Sequence, residues 1–317
     1  MAEPAAVLAI DGGNSKTDVA LVDLDGTVLG AAHGPGTPME AARFEASSAV
    51  LDQLVTEAAR QAGLDPTGRL AEHVAAFHAG LDTPEDEQRL LDTLVARGWS
   101  GDVRVGNDTF AVLRAGTVRP WGVGVTCGAG INCVAIGPDG SSTRFLALGR
   151  FTGDWGGGMD LGYEVMWWAM RAEDGRGEPT ELRSAVAAHF GLASMHEVAL
   201  AVHLGKITGD DLIRLTYVLF EVADAGDGIA CALVDRLADE ISLMALVAMR
   251  RLRLVALDTE VVLGGGLLTA GNTRLTDGIE TRIRAEAPNA RIGVAELPPI
   301  TGAVLLGLDH LGVTPTS

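Results

Sequence analysis

Residues 7–32 read VLAIDGGNSKTDVALVDLDGTVLGAA, and their order of apolar runs, loop and turn decides the fold. Apolar runs divided first by a Gly-rich loop and then by an Asp-Gly turn predict three consecutive antiparallel strands. Residues 122–145, GVGVTCGAGINCVAIGPDGSSTRF, repeat the same order about 114 residues later. A repeat at this distance is too long for a solenoid unit and indicates a duplication at the scale of a domain, so we predict two related lobes.

Strand and helix patterns alternate through the rest of the chain. Residues 83–98, TPEDEQRLLDTLVARG, begin with a capping Thr, a Pro and three acidic residues, which is typical of a helix N-terminus. We also predict helices over 41–62 and from Thr109, and strands over 73–81 and 103–106. In the second half we expect helices over 159–255, a strand at 259–266, a helix from near Leu267, a strand at 291–296 and a C-terminal helix. The alternation predicts the α/β class.

The composition describes a globular protein of 317 residues with 47% hydrophobic residues and a formal net charge of −18. This acidic balance argues against nucleic acid and anionic membranes as partners, because such binding needs a basic patch. The first residues lack a signal-peptide pattern, and no apolar run reaches the ~18 residues that a membrane helix needs. Cys127, Cys133 and Cys231 form no CxxC pair, so we expect a reducing, cytoplasmic location.

Two glycine-rich loops occupy equivalent places in the repeat. The first, Asp11-Gly12-Gly13-Asn14-Ser15-Lys16-Thr17, can turn backbone N–H groups toward phosphates while its carboxylate holds a hydrated cation, although it can also be a plain hairpin turn. The second, Cys127-Gly128-Ala129-Gly130, would complete a phosphate clamp. The sequence contains no GxxxxGK[ST] motif, which excludes a P-loop enzyme.

Asp108 is the candidate general base. It follows Asn107 at the C-terminal end of a predicted strand, where open α/β sheets place their ligands. A carboxylate there can accept the proton of a hydroxyl that attacks phosphorus, but it can equally cap the helix beginning at Thr109. A third glycine cluster, LGGGLL at 263–268, could let an adenine ring lie on the backbone or could serve close helix–strand packing.

The segment TGDWGGGMDLG at 152–162 has five glycines and cannot be the middle of a regular helix or strand. Because the two hairpin loops fill the phosphate roles better, we expect this segment to line the substrate site and to turn into a helix near Met159. Its Trp155 could stack on a sugar face or fill the wall behind it.

These pieces, in this order, resemble the N-acetylglucosamine kinase group within the BadF/BadG/BcrA/BcrD ATPase family, part of the superfamily of actin, hexokinase and Hsp70 ATPases. The resemblance covers nearly the full length and rests on IDGGNSKTDVALVD, GNDTFAVLRAGT, TCGAGINCVAIGPDG, GDWGGGMDLG, VVLGGGLL and PPITGAVLLGL. It implies a two-lobed, ribonuclease H-like (actin-like ATPase) fold, with duplicated βββαβαβα domains around a cleft. The first lobe would comprise 1–116, the second 117–299, and the C-terminal helix 300–317 would join the first lobe.

The resemblance also implies ATP and Mg²⁺ as cofactors and a role for single residues. Asp11 would hold the hydration shell of Mg²⁺, and Asp108 would be the base on the sugar hydroxyl. The sugar would be bound by Asn107, Asp108, Asn132, Asp154 and Trp155. The ATP contacts would be Gly12, Gly13, Asn14, Ser15, Lys16 and Thr17 in the first loop, Gly128, Ala129 and Gly130 in the second loop, and Gly264, Gly265 and Gly266 at the adenosine.

Four positions depart from the pattern of this kinase group. Ala129 lacks a hydroxyl, Trp155 replaces an acid, Leu148 stands where a Trp-Gly pair is common, and Pro38 stands where a sugar-contacting Asn is frequent. Because one lost hydrogen-bond partner can change selectivity by orders of magnitude, the identity of the sugar stays open.

The leading hypothesis is an ATP-dependent kinase that converts N-acetylglucosamine to N-acetylglucosamine 6-phosphate, with glucosamine or another hexose as the alternative substrate. A second class is an ATPase that activates a reductase or dehydratase, which would need cluster-binding thiolates that the three cysteines do not present. A third class is a sugar-sensing regulator, for which the first strand, starting near Val7, leaves no space for an N-terminal helix-turn-helix. A homodimer is suggested by the resemblance alone.

Overall fold

The computed structural model describes residues 3–39 and 42–313, which form two five-stranded mixed sheets with helices. The strands of the first sheet are β1 (Ala5–Gly12), β2 (Lys16–Val22), β3 (Val28–Pro35), β4 (Ala71–His78) and β5 (Val103–Asn107). Those of the second sheet are β6 (Gly122–Cys127), β7 (Ile131–Ile136), β8 (Ser142–Arg144), β9 (Glu260–Gly264) and β10 (Arg291–Val294). The helices are α1 (Phe44–Gln61), α2 (Pro84–Arg97), α3 (Asp108–Ala115), α4 (Gly157–Glu173), α5 (Leu182–His189), α6 (Met195–His203), α7 (Gly209–Ile213), α8 (Leu215–Asp224), α9 (Gly228–Arg251), α10 (Thr273–Glu286) and α11 (Pro299–His310).

The two sheets share one topology. Their strand orders are β3-β2-β1-β4-β5 and β8-β7-β6-β9-β10. In each sheet the first three strands pair antiparallel, and the fourth and fifth follow the first in parallel. The βββαβαβα order therefore occurs twice and confirms the predicted α/β duplication. The second copy holds α4 to α9 where the first holds only α1.

Local sequence signals explain several elements. Every residue of β1 is buried, as expected for a central strand covered on both faces. At the start of α2 the Thr83 side chain accepts a hydrogen bond from the Asp86 N–H and Pro84 occupies the first turn, while Gly98 ends the helix at φ 70°. The helix predicted from this segment is thus confirmed.

The last helix of each half packs on the sheet of the other half. Leu113 of α3 packs with Val134 and Val262 of the second sheet. Leu306 of α11 belongs to the apolar cluster that contains Val7 and Ala75 of the first sheet. The exchange places the N-terminus of α3, and with it Asp108, at the junction between the two sheets.

The helix predicted from near Leu267 is wrong. Residue 265, a bend at φ 87°, is followed by turns over 266–270, and α10 starts only at Thr273. Asn272 supplies the start signal, because its side chain accepts a hydrogen bond from the Leu275 N–H at 2.9 Å.

Other predicted boundaries differ by a few residues. β4 covers Ala71–His78, β10 ends at Val294, and α4 begins at Gly157. Residue 41 of the predicted helix 41–62 and residues 314–317 of the predicted C-terminal helix lie outside the described residues. Among the helices that the structure describes, none is long and apolar enough to cross a membrane.

Candidate active site

Three carboxylates lie near the junction of the two sheets, at the C-terminal ends of neighbouring parallel strands. Asp11 lies near the end of β1, Asp82 follows β4, and Asp108 follows β5 as the first residue of α3. Gly12 of β1 and Asn107 of β5 both pair with His78 of β4. The three strand ends are therefore in register. The sheet therefore brings together side chains that are almost a hundred residues apart in the chain.

The three carboxylates have raised pKa values. Burial, with added repulsion from Asp108 and Asp18, raises the pKa of Asp11 to about 7. Burial and repulsion from Asp108 raise the pKa of Asp82 to about 7, and burial raises that of Asp108 to about 6. The group of like charges favours a bound cation or a shared proton at this edge.

Asn107 caps α3 and leaves Asp108 as its first helical residue. The Asn107 side chain accepts a hydrogen bond from the Thr109 N–H at 2.9 Å, and its amide donates to Asp82 Oδ1 at 3.0 Å. The amide of Asn132, from β7 of the second sheet, donates to the same Asp82 oxygen at 3.3 Å. Of the two roles that the sequence allowed for Asp108, the cap is thus taken by its neighbour.

Asp82 is the residue that the sequence analysis missed. The strand predicted over 73–81 ends immediately before Asp82, so Asp82 lay at a predicted strand end, although β4 itself ends at His78. With the strand ending at His78, Asp82 stands in a strand-end loop, the same position that identified Asp108. The strand-end rule could have found it.

The first glycine loop has a fixed base and an exposed tip. The Gly13 N–H donates to the Lys16 carbonyl at 2.8 Å, and the hydroxyls of Thr17 and Thr37 are 2.8 Å apart. A Cβ at Gly12 would lie 1.9 Å from Nδ1 of the fully buried His78, so only glycine fits there. Burial lowers the pKa of His78 to about 4, so the ring is neutral. The exposed tip consists of Asn14, Ser15 and Lys16.

The second glycine loop is supported by the start of α4. The N–H groups of Gly158 and Met159 donate to the carbonyls of Gly128 and Ala129 at 2.7 and 3.0 Å. Gly157 has φ 75°, and a Cβ there would lie 2.5 Å from the Cα of Gly130. Gly157 and Gly158 of the 152–162 segment therefore lie in direct contact with the second loop.

The third glycine cluster touches the same loop from the other side. The Leu267 N–H donates to the Cys127 carbonyl at 3.0 Å, and a Cβ at Gly265 would lie 2.6 Å from that oxygen. Gly264 closes β9 and pairs with Thr126 of β6, while Gly266 is exposed. The structure thus assembles residues 127–130, 156–158 and 264–266 into one glycine-lined region.

Comparison with known protein families identifies the family of this chain. The model of the BadF/BadG/BcrA/BcrD ATPase family matches residues 8–307. The chain belongs to this ATPase family.

Two curated relatives of this chain are named as kinases of amino sugars. An N-acetylmuramic acid/N-acetylglucosamine kinase of Clostridium acetobutylicum is 26% identical over 95% of this chain and 97% of its own length. An N-acetyl-D-glucosamine kinase of Dictyostelium discoideum is 24% identical over the same shares of the two chains. Among solved structures, a candidate N-acetylglucosamine kinase from Chromobacterium violaceum is similar with a TM-score of 0.72 at 24% identity, over 96% of this chain and 99% of its own. That likeness shows that the two-lobed fold is shared.

The remaining predicted sugar ligands of this ATPase-family chain lie in the second half. Asp154 lines a cavity of about 160 Å³ beside Gly130. Its carboxylate accepts hydrogen bonds from the Thr152 hydroxyl at 2.5 Å and from the Gly149 N–H at 3.3 Å. The cavity and the second loop thus share a wall, and the role of Asp154 toward sugar stays a prediction.

Trp155 points into the helical core of the second half. It is only 6% exposed, the Arg236 guanidinium lies 3.8 Å from its ring centroid, and its indole N–H donates to Glu164 at 3.4 Å. These contacts favour the wall-filling alternative for Trp155. Of the other departures, Pro38 is buried and Leu148 is half-buried.

A larger cavity of about 550 Å³ lies elsewhere on the second half of this family member. Its lining includes Arg150, Tyr163, Trp167, Trp168 and Arg236. Arg150 also borders the smaller cavity, and Arg236 stacks on Trp155, the neighbour of Gly156. We assign the chemistry to the sheet junction and not to this larger cavity, because the three carboxylates with raised pKa values lie at the junction.

Two histidines form a second polar cluster far from the glycine loops. The rings of His73 and His310 stack with centroids 4.1 Å apart, and both hydrogen-bond to Asp102 Oδ2, at 3.0 and 2.7 Å. The buried Nε2 of His73 has no hydrogen-bond partner. Metal ligation through Nδ1 would move the ring proton to this unpartnered position, which costs about 1–3 kcal/mol. The cluster is best described as a joint between α11 and the first sheet.

Proposed function

We propose that this chain is an ATP-dependent kinase that transfers the γ-phosphate of ATP to the 6-hydroxyl of N-acetylglucosamine. The single observation that carries the proposal is the position of Asp108, a carboxylate with a pKa of about 6 at the strand-end edge next to Asp11 and the first glycine loop. Membership of an ATPase family supports the use of ATP. The names of both curated relatives support an amino sugar as acceptor.

In the proposed mechanism Asp108 accepts the proton of the attacking sugar hydroxyl. The carboxylate must be ionised to do this, and a pKa of about 6 keeps it ionised but sufficiently basic near neutral pH. Asn107, Asn132 and Asp154 orient the sugar. Closure of the two halves over the substrate would exclude water and favour transfer to the sugar over hydrolysis.

The two hairpin loops hold ATP in this mechanism. The exposed Asn14, Ser15 and Lys16 of the first loop would face the β- and γ-phosphates, and the backbone amides of Ala129 and Gly130 would complete the clamp. The Gly128 N–H already donates to the Gly130 carbonyl at 2.9 Å, so Gly128 would contribute its shape and not its amide. The cluster at Gly264, Gly265 and Gly266 accommodates the adenosine. The loop contacts around Cys127 support this assignment, because they hold the second and third clusters against each other.

The residues at the strand-end edge fit Mg²⁺. Asp11 is a buried carboxylate that faces the negative charges of Asp108 and Asp18, and a cation would relieve this repulsion. Asp11 would hold the ion through its water shell. When bound with ATP, Mg²⁺ neutralises charge that develops on the transferring phosphate.

We also propose a cytoplasmic location, a first lobe of 1–116 closed by the C-terminal helix, and a second lobe of 117–299. The acidic chain with three free cysteines supports this location. The packing of α11 on the first sheet supports its assignment to the first lobe. A homodimer stays a prediction, and light scattering of the purified chain tests it.

The test is ADP release with a sugar panel, with and without Mg²⁺. The panel contains N-acetylglucosamine, glucosamine, glucose and N-acetylmuramic acid, the last taken from the name of the clostridial relative. We expect Mg²⁺-dependent ADP release with N-acetylglucosamine and a 6-phosphate product by NMR. Sugar-independent ADP release with iron in anaerobically purified protein would instead indicate a reductase activator. Sugar binding without ADP release would indicate a sensor.

A further inference from the structure

We infer that Asp82 is a positioning residue for phosphoryl transfer: it ties the capped start of α3, which carries Asp108, to the second sheet. The catalytic carboxylate then has its working orientation only while both halves of the molecule are in contact. This role rests on the proposed kinase function, whereas the tie itself exists without it.

The first half of the tie runs from Asp82 to the catalytic helix. Asp82 Oδ1 accepts from the Asn107 amide at 3.0 Å, and Asn107 Oδ1 accepts from the Thr109 N–H at 2.9 Å. Only one orientation of the Asn107 amide satisfies both partners, because the carboxylate needs a donor and the helix N–H needs an acceptor. Asp82 therefore fixes the cap that immediately precedes Asp108.

The second half of the tie crosses to the other sheet. Asn132 lies on β7, and its amide donates to the same Asp82 oxygen at 3.3 Å, while its own oxygen accepts from the Cys133 N–H at 2.7 Å. One carboxylate oxygen thus receives donors from both sheets. A separation of the sheets by about 1 Å would break the longer of these bonds, because hydrogen bonds weaken steeply beyond their usual range.

Residues on both sides of Asp82 are held by the second sheet as well. Arg144 of β8 donates to the Leu81 carbonyl at 3.0 Å and to Glu87 at 2.7 Å. Thr83 caps α2 immediately after Asp82, which leaves little freedom in the loop between them. The segment 81–87 is therefore a bridge between the halves, and the Asp82 carboxylate in it lies within reach of the charge of Asp108.

A purely structural joint would not need a charge at this place. An amide oxygen could accept the same two hydrogen bonds without repulsion from Asp108, whereas the Asp82 carboxylate faces that charge and Asp86 of α2, with Arg144 as the opposing cation. The negative charge of Asp108 also raises the pKa of Asp11 in β1. Carboxylates that are held close together despite their mutual repulsion are typical of functional sites.

The experiment compares Asp82→Ala, which removes the acceptor, with Asp82→Asn, which keeps an acceptor oxygen and removes the charge. Asp25→Asn, in the exposed turn after β2, is the matched control. Hydrogen exchange without any substrate first follows the amides of Thr109 and Cys133. Urea unfolding checks that each variant is folded. Turnover of N-acetylglucosamine then gives kcat, the KM for ATP and the pH dependence of kcat/KM.

For Asp82→Ala we expect faster exchange at Thr109 and Cys133 and a kcat lowered ~10²-fold, because small misplacements of a catalytic group are costly. The KM for ATP should stay within roughly twofold of the control, since the nucleotide loops are untouched. Asp82→Asn should keep slow exchange because it keeps the acceptor oxygen, and it should leave the acid limb of the pH profile in place, because burial and not Asp82 raises the pKa of Asp108.

Exchange in Asp82→Ala that matches Asp25→Asn would overturn the inference, and so would a kcat that matches the control despite faster exchange. Equal losses in kcat, ATP affinity and unfolding free energy would show a structural joint and overturn it too. Faster exchange in Asp82→Ala with a wild-type protein that phosphorylates no sugar would leave the tie in place and refute the proposed function instead.

Discussion

The two halves of the molecule share their strand order but hold their glycine loops differently. The first loop has a fixed base and an exposed tip of polar side chains, Asn14, Ser15 and Lys16. The second loop, Gly128-Ala129-Gly130, has no polar side chain, and backbone groups of α4 and of residue 267 hold it from two sides. The duplication thus separates two tasks: side-chain chemistry in the first half and a rigid backbone surface in the second.

The distribution of charge follows the same division. The carboxylates with pKa values raised to about 6 or 7 all belong to the first half: Asp11, Asp82 and Asp108. In the second half the Asp154 carboxylate already accepts from Thr152 and Gly149. Charges that face one another without compensation cost stability, which is typical of a site that becomes complete only with its ligands.

The largest expected effect comes from removing the charge of the proposed base. We expect Asp108→Asn to lower kcat for sugar phosphorylation by ~10²- to 10⁴-fold, the usual contribution of a general base. ATP affinity should change by less than roughly threefold, because the nucleotide loops keep their geometry. Steady-state kinetics and calorimetric ATP titration measure the two quantities. Asp139→Asn, in the exposed turn of the second half, is the control, and equal kcat values in the two variants would exclude Asp108 as base.

A smaller effect should follow when the backbone support of the second loop is disturbed. In Gly157→Ala the new Cβ would lie 2.5 Å from the Gly130 Cα at a φ of 75°, and backbone atoms cannot move aside easily. We expect a loss of about 1–3 kcal/mol in unfolding free energy and a ~10-fold higher KM for ATP. Urea unfolding and ATP kinetics measure this.

The matched control is Gly293→Ala in β10, where a Cβ would meet no atom within 4 Å. It should change neither quantity. If Gly157→Ala also left the KM for ATP unchanged, the start of α4 would not shape the nucleotide surface, and the division of tasks between the loops would lose its main support.

The smallest expected effect is a change in the free energy of unfolding that depends on pH. The pKa of Asp11 is raised to about 7 in the folded chain, so the folded state binds the proton more tightly than the unfolded state does. The stabilisation by this group is complete below the usual Asp pKa of about 4 and is lost as the pH rises through 7. Asp11→Asn should therefore be more stable than the wild type at pH 8, by on the order of 2 kcal/mol, and similar to it near pH 4.

Urea unfolding at both pH values, without nucleotide, measures this difference. The exposed Asp139 provides the contrast, because hydrogen bonds from Ser141 lower its pKa. Asp139→Asn should therefore not be stabilised at high pH. A wild type that is as stable as Asp11→Asn at pH 8 would mean that Asp11 carries no uncompensated charge.

How far the sequence predicted this site depends on how local each signal was. The loops at 11–17 and 127–130 and the strand-end position of Asp108 follow from turn chemistry and strand patterns within some twenty residues, and the structure has them at those positions. The helix expected near Leu267 was wrong because a capping Asn at 272 outweighed an apolar pattern. Asp82 was missed because its partners, Asn107 and Asn132, are distant in the chain and no local pattern links them to it.

By itself, the sequence determined the duplicated βββαβαβα order, the position of its glycine loops and the family resemblance, because periodicity and turn residues act locally. Only the tertiary structure decided that Asp82 receives amides from both sheets, that the 156–158 glycines support the second loop and that Trp155 is buried under Arg236. These contacts depend on which strands become neighbours and on the packing of α3 and α11 across the junction. No pattern within a short segment encodes that arrangement.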